Sequence, residues 1–276
     1  MIFIYYIILG IIQGVVEALP ISSSGHLLVC NDLLTNYLGF KNVALSNTEL
    51  LAIITNFGSL IAVIVIYFDK IKNVLKDFFG YFKTKSPSLK TNYKYGWYII
   101  IATIPAGIIG LIVSKLGVFD AISDNIKIIG ITLIITGIFL FWIRKANGKR
   151  KDKDLTTKDA LMIGAFQVLG LFPGISRSGS TIVGGLYEGL DRETAFDFSF
   201  MLYIPISLAT TVLGIKDLFG SNLSSSEIMF FLLSAVVAFI FTYFSVKWFR
   251  EVIKKGKLIY FSIYCFLVGT LIIIFL

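Results

Sequence analysis

Uncharged, predominantly apolar runs recur along this chain: Leu50 to Phe68, Tyr95 to Ser114, Ile128 to Ile143, Phe198 to Ile215, Ile228 to Val246 and Leu258 to Leu276. Each approaches or reaches the roughly 20 residues that a helix needs to cross about 30 Å of hydrocarbon. They predict six spanning helices, over 49–68, 95–116, 126–143, 194–215, 227–248 and 257–276. Two further apolar stretches, 1–34 and 160–190, are broken near the middle, the first by P-I-S-S-S-G-H (20–26) and the second by P-G-I-S-R-S-G-S-T (173–181).

Composition agrees with this pattern. The 276 residues are 56% hydrophobic and only 15% charged, and the mean hydropathy is +0.84. The expected class is an all-α polytopic membrane protein with one membrane domain. No Lys or Arg precedes Lys41, so the apolar N-terminus lacks the basic region of a signal peptide and is expected to be retained. Cys30 and Cys265 are scattered thiols in apolar surroundings, which read as core packing rather than a metal site or disulfide.

The formal charge of +8 raises nucleic acid as a partner, but its distribution argues against that class. Of the 25 Lys and Arg, 7 lie in Lys70–Lys94, 7 in Arg144–Asp159 and 5 in Lys247–Lys257. These segments are expected as cytoplasmic loops under the positive-inside rule, close to anionic lipid. The connections around Asn31–Ser46, Gly117–Asn125 and Lys216–Glu227 carry few positive charges and are expected outside. Leu50–Phe68 then runs inward, Tyr95–Ser114 returns, and Ile128–Ile143 runs inward again. Because Phe198–Ile215 must run outward, the segment 160–190 has to enter and leave on the cytoplasmic side, as a re-entrant hairpin. The segment 1–34, treated alike, dips from the opposite face.

A shift of 154 residues brings Gly10, Gln13, Ile21, Ser22, Ser24 and Gly25 onto Gly164, Gln167, Ile175, Ser176, Ser178 and Gly179, six identities in sixteen positions. Each copy is followed by three spans, and an odd number turns the second copy upside down. The expected architecture is an inverted-topology repeat, with repeat 1 over about 1–145 and repeat 2 over about 158–276, each a re-entrant hairpin plus three helices. Non-helical backbone at membrane depth survives only where protein or a wet cavity surrounds it. Pro20 and Pro173 are expected to end one half-helix, and the Ser/Gly run to start the next. The two tips should meet near the midplane, where free N–H groups and helix dipoles make an anion site.

Gln13 and Glu17 are four residues apart and share a helix face directed at the first tip. Glu17 is the sole carboxylate before Asp32, and a charge at this depth marks function. His26, the chain's one histidine, follows Ser23 by three residues. Arg177 stands between Ser176 and Ser178, with Gly174 and Gly179 leaving room for an anion. Its guanidinium suits a phosphate, and a salt bridge to Glu17 across the repeat interface is the second reading. Ser22, Ser24, Ser180 and Thr181 are either phosphate donors or packing hydroxyls. Gly184 and Gly185 are assigned to close helix packing.

G-I-I-Q-G-V-V-E-A-L-P-I-S-S-S-G-H together with F-P-G-I-S-R-S-G-S-T resembles the paired signature of the undecaprenyl-diphosphate phosphatase family, also called bacitracin-resistance proteins. Length and span count fit this family across the whole chain. The resemblance implies hydrolysis of undecaprenyl diphosphate to the monophosphate carrier of peptidoglycan synthesis, in the bacterial plasma membrane, with support from Mg²⁺ or Ca²⁺. Gln13 stands where many members carry Glu, which weakens a two-carboxylate scheme and puts more on Glu17.

The expected catalytic residues are Ser23 as nucleophile, Glu17 as base or metal ligand, His26 as acid or orienting group, and Arg177 as phosphate clamp. Gln13, Ser22, Ser24, Gly25, Gly174, Ser176, Ser178, Gly179 and Thr181 are expected around the phosphates. Direct attack by an activated water stays open. The expected partners are a polyprenyl diphosphate lipid and membrane lipids, with no nucleic acid; a homodimer is left open. The site is expected to open to the outer face. The rival class is a transporter moving a phosphate-bearing lipid through the same midplane site.

Overall fold

The computed structural model describes residues 2–38, 48–220 and 223–276. Two helices with a break between them begin the chain, α1 (Ile2–Ala18) and α2 (Ser23–Asn36). Then come α3 (Thr48–Ile66), α4 (Phe68–Thr84), α5 (Lys90–Lys115), the short α6 (Val118–Ser123) and α7 (Ile126–Ile143). A second broken pair, α8 (Thr157–Leu169) and α9 (Arg177–Tyr187), precedes α10 (Arg192–Gly220), α11 (Ser225–Lys254) and α12 (Leu258–Phe275). By length and composition α5, α7, α10, α11 and α12 can each cross a bilayer, and α3 makes a sixth when counted with α4, from which it is bent by 73°. Among the described residues the chain is thus all-helical, with five to six span-capable helices. The parts of the expected outer connections at 39–46 and 221–222 lie outside the described residues.

Two basic segments depart from expectation. Lys70–Lys94 is not a loop: most of it is α4 and the start of α5, joined by a 3₁₀ turn at Pro87–Leu89. Its lysines are interleaved with apolar residues at helical spacing, so one face can pack inward. Val74 is buried, and Phe78 stacks on Tyr93 of α5 with ring centroids 5.4 Å apart. Lys247–Lys257 likewise begins as the last turns of α11.

The two breaks are built alike. Pro20 and Pro173 both lie between helices, and a serine caps each following helix: the Ser22 hydroxyl accepts from the Gly25 amide (3.3 Å) and the Ser176 hydroxyl from the Gly179 amide (3.0 Å). Backbone freed at the second break is satisfied by α7. Thr132 Oγ1 donates to the Pro173 carbonyl (2.8 Å), Thr136 Oγ1 donates to that of Gly174 (3.2 Å), and the Ser176 amide donates to Thr136 Oγ1 (3.1 Å). Gly174 has φ +86°, and a Cβ there would run into Thr132, so both conformation and space demand glycine.

Packing brings the breaks together. α1 lies along α11 and α8 along α5, while α3 packs on α10 and α7 on α12. At the crossing, a Cβ on Gly25 would stand 3.0 Å from Gly174 Cα, and one on Gly179 3.2 Å from Pro20 Cβ. Gly184 and Gly185 admit Phe166 and Ala195, the expected packing role. Both cysteines are free thiols, Cys265 buried in the core and Cys30 half-buried.

Candidate active site

A cavity of roughly 290 Å³ opens where the two breaks meet. Glu17 reaches it from the last turn of α1, Ser23 from the first residue of α2 and Arg177 from the first residue of α9. Under the 154-residue shift Ser23 and Arg177 are equivalent positions, so one tip presents a hydroxyl where the other presents a guanidinium.

Glu17 holds the group together. Its Oε1 accepts from Arg177 Nη2 at 2.8 Å, and its Oε2 accepts from Ser23 Oγ at 2.5 Å and from Gln13 Nε2 at 2.9 Å. The carboxylate and guanidinium side chains are only 10% and 14% exposed, so the pair works in a medium that screens little. The Arg177 guanidinium lies 4.2 Å from the centroid of the Tyr203 ring. Tyr203 is fixed in turn by its hydroxyl, which donates to Asn56 Oδ1 at 2.6 Å. Arg177 Nη1 is buried and has no hydrogen-bond partner among the described residues. A charged donor left without a partner is suited to an anion, and the N-termini of α2 and α9 add to the same field.

Of the residues singled out in the sequence, Gln13, Glu17, Ser22, Ser23, Ser24, Ser176, Arg177 and Ser178 line the cavity. The others stand behind it. Gly25, Gly174 and Gly179 form the crossing of the tips. Thr181 Oγ1 turns back into the protein, 2.6 Å from Ser199 Oγ. His26 is buried off the cavity wall, with Nδ1 2.8 Å from the Ser22 carbonyl and Nε2 2.8 Å from the Tyr264 hydroxyl.

This constellation sits in a chain whose relatives are known. The profile of the family described as "Bacitracin resistance protein BacA" matches residues 6–271. The chain belongs to the BacA family. Undecaprenyl-diphosphatase 1 of Bacillus licheniformis is 42% identical over 279 residues, covering 100% of this chain and 98% of its own. Undecaprenyl-diphosphatase 3 of Bacillus anthracis is 41% identical over 271 residues, covering 98% and 97%. The undecaprenyl-diphosphatase of Oceanobacillus iheyensis is 36% identical over 274 residues, covering 99% and 96%.

In this BacA-family chain the cavity also has walls that the sequence reading missed: Asn56 of α3, and Tyr203, Ser207 and Thr210 of α10. The available signal was the polar groups inside two uncharged runs, Thr55, Asn56 and Ser59 in one and Ser199, Tyr203, Ser207, Thr210 and Thr211 in the other, a placement that costs free energy in a bilayer. Glu17 supplies the one carboxylate on the wall, and both its oxygens are already bonded within the protein; a Mg²⁺ that keeps its waters and is shared with substrate phosphates would need no more than that one carboxylate. Among the described residues no group of three or more His, Cys, Asp and Glu comes together.

Proposed function

We propose that this chain is an integral membrane phosphatase that hydrolyses undecaprenyl diphosphate to undecaprenyl phosphate and inorganic phosphate, returning the lipid carrier to cell-wall synthesis and so conferring bacitracin resistance. Full-length relatives named undecaprenyl-diphosphatase support the substrate. The observation that carries the mechanism is the short bond from Ser23 to Glu17 beside an arginine with a free donor.

The terminal phosphate sits on Arg177 Nη1, with the hydroxyls of Ser176, Ser178 and Ser24 and the α2 and α9 amide ends around it. Arg177 Nη2 stays on Glu17, so one guanidinium aligns both base and substrate. Glu17 takes the Ser23 proton as Oγ attacks the terminal phosphorus. The bridging P–O bond breaks, and undecaprenyl phosphate leaves with the bond's electron pair. Glu17 passes the Ser23 proton to the departing undecaprenyl phosphate and is a carboxylate again; it then takes a proton from the water that attacks the phosphoserine phosphorus and returns it to Ser23 Oγ as the Oγ–P bond breaks and inorganic phosphate leaves. Little covalent help is needed beyond this, since phosphoryl transfer is governed by positioning and charge. His26 is assigned an orienting role rather than that of an acid, because both its ring nitrogens are bonded within the protein. Mg²⁺ or Ca²⁺, where present, would arrive on the diphosphate.

The fold reading that goes with this is an inverted-topology repeat of two re-entrant hairpins and six spans, within the repeat bounds 1–145 and 158–276. It is supported by the matched caps of the two breaks and by the reciprocal contacts Gly25–Gly174 and Gly179–Pro20, which the 154-residue shift exchanges. An opening to the outer face is supported by a second cavity of roughly 200 Å³, which shares Ser24, Leu27 and Ala52 with the first and runs on to Asn31 and Ser123. Ion pairs Arg250–Asp197 (2.9 Å) and Lys70–Asp152 (2.7 Å) stand instead at the basic ends of the helices, away from both cavities.

Phosphate release from undecaprenyl diphosphate in detergent micelles tests the reading, because micelles have no leaflets to cross. Purified protein is expected to release phosphate and Ser23→Ala to fall to background. No release by the unmodified chain overturns the phosphatase reading; a nearly normal rate for Ser23→Ala overturns the nucleophile.

A further inference from the structure

We propose that Tyr264, on α12, is a positioning residue of this site, acting through His26 on the backbone of Ser22 and thereby on the aim of Ser23. The proposal rests on the phosphatase reading above. Ser22 has φ +69° and ψ +99°, a left-handed conformation in a residue with a side chain. Such a backbone costs about 1–3 kcal/mol and persists only where its surroundings over-determine it. Here those surroundings can be named. The Ser22 carbonyl accepts from the His26 amide at 3.2 Å and stands 2.8 Å from His26 Nδ1.

A carbonyl only accepts, so Nδ1 carries the proton. In the neutral ring Nε2 is then an acceptor, and the Tyr264 hydroxyl, 2.8 Å away, donates to it. The two rings lie nearly parallel, 14° apart with centroids at 5.6 Å, which leaves the imidazole little freedom to turn. The chain of contacts therefore runs from the last helix to Ser22, and the next residue is Ser23, whose hydroxyl is 2.5 Å from Glu17. Without the phenol oxygen Nε2 loses its partner. The imidazole can then rotate or take the other tautomer, and the Ser22 carbonyl loses the bond that holds the turn. Ring nitrogens directed at a carbonyl and a phenol, in a residue off the cavity wall, do not meet the substrate.

His26 is the one histidine in the chain, so ¹⁵N-histidine labelling reports this ring alone. The unmodified protein is expected to show the Nδ1–H tautomer, and Tyr264→Phe a mixture. Misplacing a reacting group by about 1 Å costs on the order of 10²-fold, so Tyr264→Phe should lower kcat at least about tenfold while KM stays within about twofold. The amide of Asn reaches the position of Nδ1 and that of Gln does not. His26→Asn is therefore expected to keep at least about ten times the kcat of His26→Gln or His26→Ala, a rescue that a proton-transfer role forbids. The proposal is overturned if Tyr264→Phe keeps both kcat and tautomer, or if His26→Asn is as slow as His26→Ala. An unmodified protein that releases no phosphate overturns the phosphatase reading instead, and the labelled spectrum still reports the tautomer.

Discussion

One carboxylate organises the site: Glu17 receives Ser23, Gln13 and Arg177 at once, and so couples the attacking oxygen to the group that holds the phosphate. The arginine must serve two partners with two nitrogens, which a lysine ammonium cannot do in a fixed plane. Arg177→Lys is expected to lower kcat/KM by about 10²-fold, the usual cost of removing one transition-state donor, measured by steady-state phosphate release; equality with the unmodified protein would refute the fork. The members of this cluster were legible in the sequence because charges and grouped hydroxyls stand out in an apolar chain. The direction of His26 and Thr181 was not, since spacing fixes neighbours along a helix but not which face a half-helix turns to the cavity after a break. Asn56 and Tyr203 were hidden for another reason. Each is one of several polar groups in a long uncharged run, with nothing in the spacing to single it out, and its partner lies across the bundle, where Tyr203 bonds Asn56.

The broken helices owe their geometry to small residues at the crossing. A valine at Gly25 would drive into Gly174 Cα, which is backbone and cannot move aside as a side chain can. Gly25→Val is expected to cost about 1–3 kcal/mol from overpacking and to reduce phosphate release. Gly107→Ala serves as the control, with nothing within 4 Å of its Cβ; thermal unfolding of the two variants checks the difference. A second device ties down α8. Burial by itself raises the Asp159 carboxyl, but bonds from Arg150 and Thr156 outweigh it and hold the group below its ordinary value. A depressed carboxylate stabilises the fold above its unfolded pKa and loses that contribution as pH falls through the folded value. Asp159→Asn should therefore unfold at lower temperature than the unmodified protein at neutral pH, and the gap should close below about pH 4. A gap independent of pH would refute the assignment. Among the elements, the existence of several helices able to cross a bilayer was legible from run length, whereas α4 was not, because its lysines outweighed the helical spacing of Val74 and Phe78.

Under the 154-residue shift the two breaks share six identities in sixteen positions. Ser22 and Ser176 cap alike, yet the neighbouring equivalent positions diverge into Ser23 and Arg177. A cavity shared by two such tips gains a nucleophile from one and a clamp from the other, which neither half offers alone. The proposed orientation rests on charge. With the three basic segments inside, as the positive-inside rule expects, the exposed end of α2 at Asn36 would face out on the side toward which the second cavity runs. In a Cys30→Ser, Cys265→Ser background, Asn36→Cys is expected to react with a membrane-impermeant maleimide in intact cells. Lys153→Cys, exposed in the basic segment between α7 and α8, is expected to react only after permeabilisation. Activity retained by the doubly substituted background shows that the labelled protein is folded. The reverse labelling pattern would turn the bundle over, move the phosphatase site to the inner leaflet and refute the outward opening.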